Sequence, residues 1–190
     1  MSSTQTSNNS KPALHGVKIK QRKGVQKAQA KYEPEIFRDN FLEPLTKAEA
    51  GNFDQISANL DAAGNTLEYR KYGEPLFEIL ITGGILEPGG TIADDAERSP
   101  FSIFSADETP ASITKHVDVF NKLIRRYRYL QKPFEETLKN ILQYINKWSP
   151  EENTKLAMAT GHFVTLQLAQ LNVLIVLFKD YLVKDGESFL

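Results

Sequence analysis

Cysteine is absent from this chain, and histidine is scarce. The 190 residues contain no cysteine and only three histidines. A disulfide scaffold, a thiolate-ligated zinc site and a thiol nucleophile are therefore excluded. His15, His116 and His162 lie far apart in the sequence, and none of them falls in a metal-ligand motif. No serine lies in a G-x-S-x-G elbow either, so an enzyme would have to act through scattered carboxylates alone. A helical enzyme of that kind is the alternative to our prediction, which is a protein that is not an enzyme and needs no cofactor.

Long hydrophobic runs are also lacking. The most apolar stretch, residues 163–182, is interrupted by six polar or charged residues. A membrane-spanning helix needs about 20 predominantly apolar residues, so none is predicted. The first ten residues are polar and contain no apolar segment of the kind found in secretory signals. We therefore expect no membrane contact and a cytoplasmic location.

Acidic residues are missing from the first 32 positions. This segment carries a charge of +7 and the rest of the chain −8, which the net charge of −1 conceals. We predict a disordered basic tail over residues 1–32, followed by one folded domain over residues 33–190. A basic arm on an acidic body is typical of proteins that contact nucleic acid or an acidic partner. The candidate contacts are Lys18, Lys20, Arg22 and Lys23. A solvated tail without a partner is the alternative.

Apolar residues recur at helical spacing from Glu33 onward, and no segment alternates as a strand would. We predict an all-α fold of stacked antiparallel helical hairpins, similar to HEAT or armadillo repeats, with a simple helix bundle as the alternative. One long loop, residues 83–110, interrupts the series. The predicted helices cover residues 34–45, 52–63, 66–82, 110–131, 133–148, 150–160 and 163–184. Pro75 should kink or divide the third of them.

Two of these helices begin with clear capping signals. Thr109 precedes Pro110, a pair that is typical of an N-cap followed by the first helical residue. Ser149 is followed by a proline and two glutamates, which predicts a capping box between Ser149 and Glu152.

A basic segment at residues 122–132 is the strongest candidate for an interaction site. If the helix of residues 110–131 is continuous, its apolar residues share one face, and its cations lie on the opposite face. Arginine favours bidentate contact with carboxylate or phosphate, and a tyrosine among the cations adds a stacking plane. The alternative is an ordinary charged surface whose cations pair with Glu135 and Glu136. The candidate residues are Lys122, Arg125, Arg126, Arg128, Tyr129 and Lys132.

Several segments, taken in order, resemble one family. They are residues 60–84, residues 88–91 with the sequence Pro-Gly-Gly-Thr, and residues 119–130 with the sequence Phe-Asn-Lys-Leu-Ile-Arg-Arg-Tyr inside them. Together they resemble the amino-terminal half of the basic leucine zipper and W-two domain proteins, also called mimics of translation initiation factor five. The resemblance covers about residues 17–189.

The resemblance implies a HEAT-like or armadillo-type domain in a cytoplasmic regulator of translation initiation. Members of the family compete with initiation factor five for initiation factors two and three, so these factors or the ribosomal preinitiation complex are the expected partners. An accessory domain that binds RNA through the tail and the basic segment is the alternative. The carboxy-terminal W-two domain of the family has no counterpart in the sequence, so we expect a form that is truncated before it.

Two further expectations concern the ends of the folded part. The family name suggests a leucine zipper, but Pro34 and Pro44 interrupt the segment after the basic tail, and no heptad repeat is sustained. We therefore expect no zipper-type DNA binding. Residues 173–178 are apolar on every side, which predicts that Ile175, Leu177 and Phe178 are partly exposed where a further layer is missing.

Overall fold

The computed structural model describes residues 31–92, 97–184 and 187–188. The chain divides between Tyr32 and Glu33 into two units, and every element described below belongs to the second unit. Its six α-helices are α1 (Pro34–Thr46), α2 (Phe53–Ala63), α3 (Gly73–Thr82), α4 (Pro110–Arg126), α5 (Gln131–Leu142) and α6 (Pro150–Thr165). The described ranges also contain three 3-10 segments. They lie between α4 and α5 (Arg128–Leu130), between α5 and α6 (Ile145–Lys147) and after α6 (Leu171–Phe178).

The helices contact one another in two rows. Helix α3 packs against α1 on one side and α5 on the other, while α4 packs in the same way between α2 and α6. The only strands in the described ranges are β1 (Val183–Lys184) and β2 (Glu187–Ser188), which pair antiparallel with Val183 opposite Ser188. The predicted all-α class is therefore confirmed, with layers of helices in place of a sheet.

A cluster of phenylalanines lies between the two rows. Phe77 of α3 and Phe134 of α5 stand with ring centroids 5.0 Å apart, and Phe163 of α6 lies 4.8 Å from Phe134. Phe120 of α4 completes the cluster at 5.1 Å from Phe163, and all four side chains are fully buried. Each buried aromatic side chain contributes on the order of 2–3 kcal/mol to folding. This cluster therefore joins the two rows, which also meet where α1 contacts α2.

The predicted capping signals are confirmed. The Thr109 hydroxyl accepts a hydrogen bond from the Ser112 N–H, with Pro110 as the first helical residue. The Ser149 hydroxyl accepts from the Glu152 N–H at 3.2 Å, and the Glu152 carboxylate accepts from the Ser149 N–H at 2.8 Å. These caps form because their partners are three residues apart, so they need no help from distant parts of the chain.

The predicted helix over residues 66–82 is wrong in its first half. Only Gly73–Thr82 is helical, so the predicted segment is divided near Pro75, which lies in the first turn of α3. Within a longer helix this proline would remove a hydrogen bond and clash with the preceding turn, so the helix begins just before it. The Tyr69 hydroxyl instead donates to the Leu60 carbonyl at 2.8 Å, which holds the preceding turn against α2.

The predicted helix over residues 110–131 is also interrupted. Helix α4 ends at Arg126, and Tyr127 leaves the helical region with φ −117° and ψ 74°. A continuous helix would set Pro133 against the backbone of the turn before it, so a new helix begins at Gln131 instead. The basic segment therefore spans α4, a 3-10 turn and the first turn of α5 rather than one helical face.

The end of the chain differs most from the prediction. Gly161 lies inside α6 and does not divide it, and the chain turns at Gln167, which has a φ of +58°. Residues Leu171–Phe178 form a 3-10 segment in place of the predicted long helix. Ile175 and Phe178 are exposed at 65% and 79%, as expected, but Leu177 is buried because it packs into the core.

Candidate interaction surface

The candidate surface begins at the end of α4, where two of the predicted cations already have partners. The Lys122 ammonium lies 2.9 Å from the Asp54 carboxylate of α2 and 3.2 Å from Asp118. The Arg126 Nε lies 3.0 Å from Asp61, also on α2. These bonds raise the pKa of Lys122, while Arg126 and then Tyr127 lower the pKa of Asp61. Lys122 and Arg126 therefore attach α4 to α2 through aspartates, not through the Glu135 and Glu136 that the alternative interpretation named.

The other three predicted cations are free of strong pairing. The Arg125 Nε donates to the Asn121 amide oxygen at 2.6 Å, a neutral partner. Arg128 forms no ion pair within the described ranges. Lys132 lies 3.8 Å from Glu136, and both side chains are well exposed. Since exposed pairs of this kind contribute roughly 0–1 kcal/mol, these three charges stay available to a partner.

Tyr129 lies beside a cation that the sequence reasoning missed. The Arg70 guanidinium carbon lies 4.3 Å from the centre of the Tyr129 ring, within the range of a cation–π contact. Arg70 belongs to the turn between α2 and α3, and no spacing rule connects it with residue 129. Tyr129 is half-buried rather than exposed. We call Arg70, Arg125, Arg128, Tyr129 and Lys132 the cationic surface.

Tyr127 anchors this surface to α2. Its hydroxyl donates to Asp61, with the carbonyl oxygen at 3.0 Å and Oδ1 at 3.1 Å. The backbone at Gly64 approaches so closely that a Cβ there would lie 2.5 Å from the Tyr127 hydroxyl oxygen. The Tyr69 ring meets the Tyr127 ring edge-on at 5.7 Å. The turn that carries Arg128 and Tyr129 is therefore held by contacts on its inner side, which leaves the outer side to other molecules.

Other kinds of site are not built from the described residues. No cluster of three histidine or acidic side chains in residues 31–92, 97–184 and 187–188 could hold a metal ion. Among the same residues, no helix has the length and apolar character needed to cross a membrane. The tail residues Lys18, Lys20, Arg22 and Lys23 lie outside the described ranges, as do residues 1–30 of the segment predicted to be disordered.

One protein-family model matches nearly the whole chain. A family described as the 5MP1/2 HEAT domain matches residues 19–189. This match confirms the predicted HEAT-like class, and it agrees with the two rows of contacting helices. No solved structure matches the chain.

Curated relatives resemble the chain over most of its length. Protein krasavietz of Drosophila melanogaster is 46% identical over 178 residues, which are 93% of this chain and 42% of that protein. The eIF5-mimic protein 1 of Danio rerio is 42% identical over 96% of this chain and 44% of its own length. The Homo sapiens protein of that name is 40% identical over 93% of this chain and 42% of its own. The chain therefore spans less than half the length of these relatives.

Proposed function

The chain belongs to the eIF5-mimic protein family, and on that premise we propose that it regulates translation initiation as a protein-interaction module. Its partners in this proposal are initiation factors two and three, free or in the ribosomal preinitiation complex. It acts in the cytoplasm, by binding rather than by catalysis, and restrains initiation by competing with initiation factor five. Residues 33–190 form the interaction domain in this proposal, and residues 1–32 form a separate basic tail.

The observation that carries the proposal is that Arg125 and Arg128 of the cationic surface form no ion pair with the described residues. Arg125 and Arg128 are exposed, while their neighbours Ile124 and Leu130 are buried. The two arginine charges therefore contribute little to folding. Lys122 and Arg126, by contrast, are occupied by carboxylates of α2. A guanidinium without a carboxylate partner matches an acidic segment through paired N–H donors. We therefore propose that an acidic segment of an initiation factor binds here.

An RNA-binding role is the second candidate. The contact of Arg70 with the Tyr129 ring supports it, because a tyrosine beside a cation offers a platform on which an unpaired base stacks. The basic tail, with Lys18, Lys20, Arg22 and Lys23, would add contacts with phosphates. In this candidate function the tail and the cationic surface each contribute contacts with RNA.

Reversing the two unpaired arginines tests the site. We expect the double variant Arg125→Glu, Arg128→Glu to keep the helical circular dichroism and melting temperature of the unchanged chain. Its affinity for purified initiation factors two and three should fall at least about tenfold, since each reversal replaces attraction with repulsion. The matched control, Lys147→Glu with Lys179→Glu, changes the net charge equally at exposed positions elsewhere. Equal binding by both double variants would remove the cationic surface from the proposal.

A salt titration separates the two candidate functions. Binding of the full chain to a single-stranded RNA oligonucleotide should weaken steeply with salt if several phosphates are contacted. Deleting residues 1–32 should then reduce both the affinity and the salt slope. If the chain binds the factors at moderate salt but not the oligonucleotide, the protein-interaction function stands alone. Binding to RNA without binding to either factor would favour the second candidate.

A further inference from the structure

A cavity of about 630 Å³ lies at the opposite end of α4 from the cationic surface. Its walls come from the end of α1, the turn before α2, the start of α2, residues 100–109 and the first turns of α4. Cavities that bind small molecules commonly measure about 300–1,000 Å³. The size therefore suits a ligand larger than water, and neither the helix contacts nor the proposed function accounts for the cavity.

Three rings form one wall of this cavity. The Phe101 ring stacks on the His116 ring with centroids 4.9 Å apart and planes inclined by 10°. The Phe53 ring meets His116 edge-on at 4.9 Å and Phe101 edge-on at 6.1 Å. All three residues line the open space. Phe101 and His116 are only 4% and 7% exposed, so the half-buried Phe53 offers most of this wall to a further ring. Aromatic rings prefer stacked and edge-on partners of this kind.

His116 presents a hydrogen-bond acceptor to the same space. Its Nδ1 lies 2.8 Å from the Ser112 carbonyl oxygen, which can only accept, so Nδ1 carries the proton. Burial lowers the pKa of His116, and the ring is therefore neutral near pH 7, with a lone pair on Nε2. Nε2 has no hydrogen-bond partner in the described residues, and it keeps some contact with solvent. The residue as a whole is 7% exposed.

An anion is a poorer match for this cavity. The N-termini of α2 and α4 meet there, but the Asn52 and Thr109 side chains already accept from the first turns. Pro110 removes one further N–H donor. The carboxylates of Glu49 and Asp107 line the cavity beside the single ammonium of Lys115, so these charged groups together repel a negative ligand. A neutral ring that donates a hydrogen bond agrees with all of these groups.

We propose that this cavity binds an indole, the side chain of a tryptophan presented by a partner protein. The indole ring packs against Phe53 and Phe101, and its N–H donates to Nε2 of His116. Indole is a donor without an acceptor, which complements an acceptor that lacks a donor. The site is separate from the cationic surface, so the proposal holds whether or not that surface binds initiation factors.

The test uses the isotope-labelled full chain and N-acetyl-tryptophanamide as a probe, followed by nuclear magnetic resonance. We expect saturable shifts at Phe53, Phe101 and His116, including the Nε2 resonance of the wild-type imidazole. The analogue methylated at the indole nitrogen should bind about five- to tenfold more weakly, which corresponds to one lost hydrogen bond. Equal binding of both probes, or no shifts at the cavity, would overturn the proposal.

A matched pair of variants isolates the acceptor. His116→Phe keeps the ring and removes Nε2, so it should weaken the tryptophan probe to the level of the methylated analogue. His162→Phe makes the same change on α6, outside the cavity, and should leave binding unchanged. If His116→Phe does not fold, the Nε2 resonance of the unchanged chain and the comparison of the two probes still show whether the indole N–H donates to His116. Inorganic phosphate is titrated separately, and cavity shifts with phosphate but not with the tryptophan probe would replace the indole with an anion.

Discussion

Glu78→Gln is expected to stabilise the protein by about 2–3 kcal/mol at pH 8 and to change its stability little at pH 4.5. Glu78 lies in α3 and is 4% exposed, and its Oε2 accepts a hydrogen bond from the Leu86 N–H at 3.1 Å. Burial raises the pKa of this carboxyl from 4.5 to about 7, and the negative charge of Glu74 adds to the shift. The side chain therefore ionises in the unfolded chain at a lower pH than in the fold.

The direction of the pH effect follows from this difference. Below pH 4.5 the carboxyl is protonated in both states, so its favourable contribution to folding is fully present. Between pH 4.5 and 7 the unfolded chain releases its proton first, and the free energy of unfolding falls by about 1.4 kcal/mol per pH unit. Glutamine cannot ionise, but its amide oxygen still accepts from Leu86. The variant should therefore lose this slope while it keeps the contact between α3 and the following loop.

Urea unfolding at a series of pH values measures the effect. The melting temperature of the variant should also rise by about 4–10 °C at pH 8, given the length of the chain. Glu74→Gln is the matched control, because it removes the same charge from an exposed position on the same helix. It should leave most of the slope between pH 4.5 and 7 in place. Parallel stability profiles for the unchanged chain and Glu78→Gln would contradict the assignment.

Gly90→Ala is expected to destabilise the protein by about 3 kcal/mol or more. Gly90 has a φ of +80°, and a Cβ at this position would overlap the Tyr144 ring. The neighbouring Gly89 has a φ of +106°, but a Cβ there would meet nothing within 4 Å. Gly89→Ala should therefore cost only the backbone strain, about 1–2 kcal/mol. The difference between the two variants measures the packing of the loop on Tyr144.

A double-mutant cycle tests the cause of this difference. Tyr144→Ala opens the space above Gly90, so Gly90→Ala should cost no more in that background than Gly89→Ala does alone. Urea unfolding followed by circular dichroism gives all of the required free energies. If Gly90→Ala costs the same with and without the Tyr144 ring, the glycine is needed for its backbone conformation alone. The Pro-Gly-Gly-Thr segment would then be a turn without a packing role.

Helix starts and the inward-facing residues were predictable because their causes are local. Thr109 and Ser149 cap helices through atoms three residues away, and a proline follows each cap. The apolar side of α4 was also predicted correctly, since Val117, Phe120 and Leu123 are buried at their expected helical spacing. Short-range hydrogen bonds and periodicity leave the same marks in the sequence wherever the helix packs.

Breaks within the helical pattern and the partners of each cation depended on distant residues. The geometry of Tyr127 reflects its bond to Asp61 on α2, and Lys122 and Arg126 are neutralised by carboxylates of that same helix. Such contacts need two parts of the chain to pack together, which periodicity within one segment does not encode.

The sequence by itself determined an all-helical chain with a segregated basic segment, and the motifs in it pointed to the family that the comparisons then confirmed. Only the tertiary structure decided which cations stay free, because it set Arg70 against Tyr129 and set Arg126 against Asp61. It alone also brought three rings together in one wall of a cavity. Among the described residues, it left Nε2 of His116 without a hydrogen-bond donor. Both outcomes arise from side chains that meet across separate elements, where packing rather than local preference selects the neighbour.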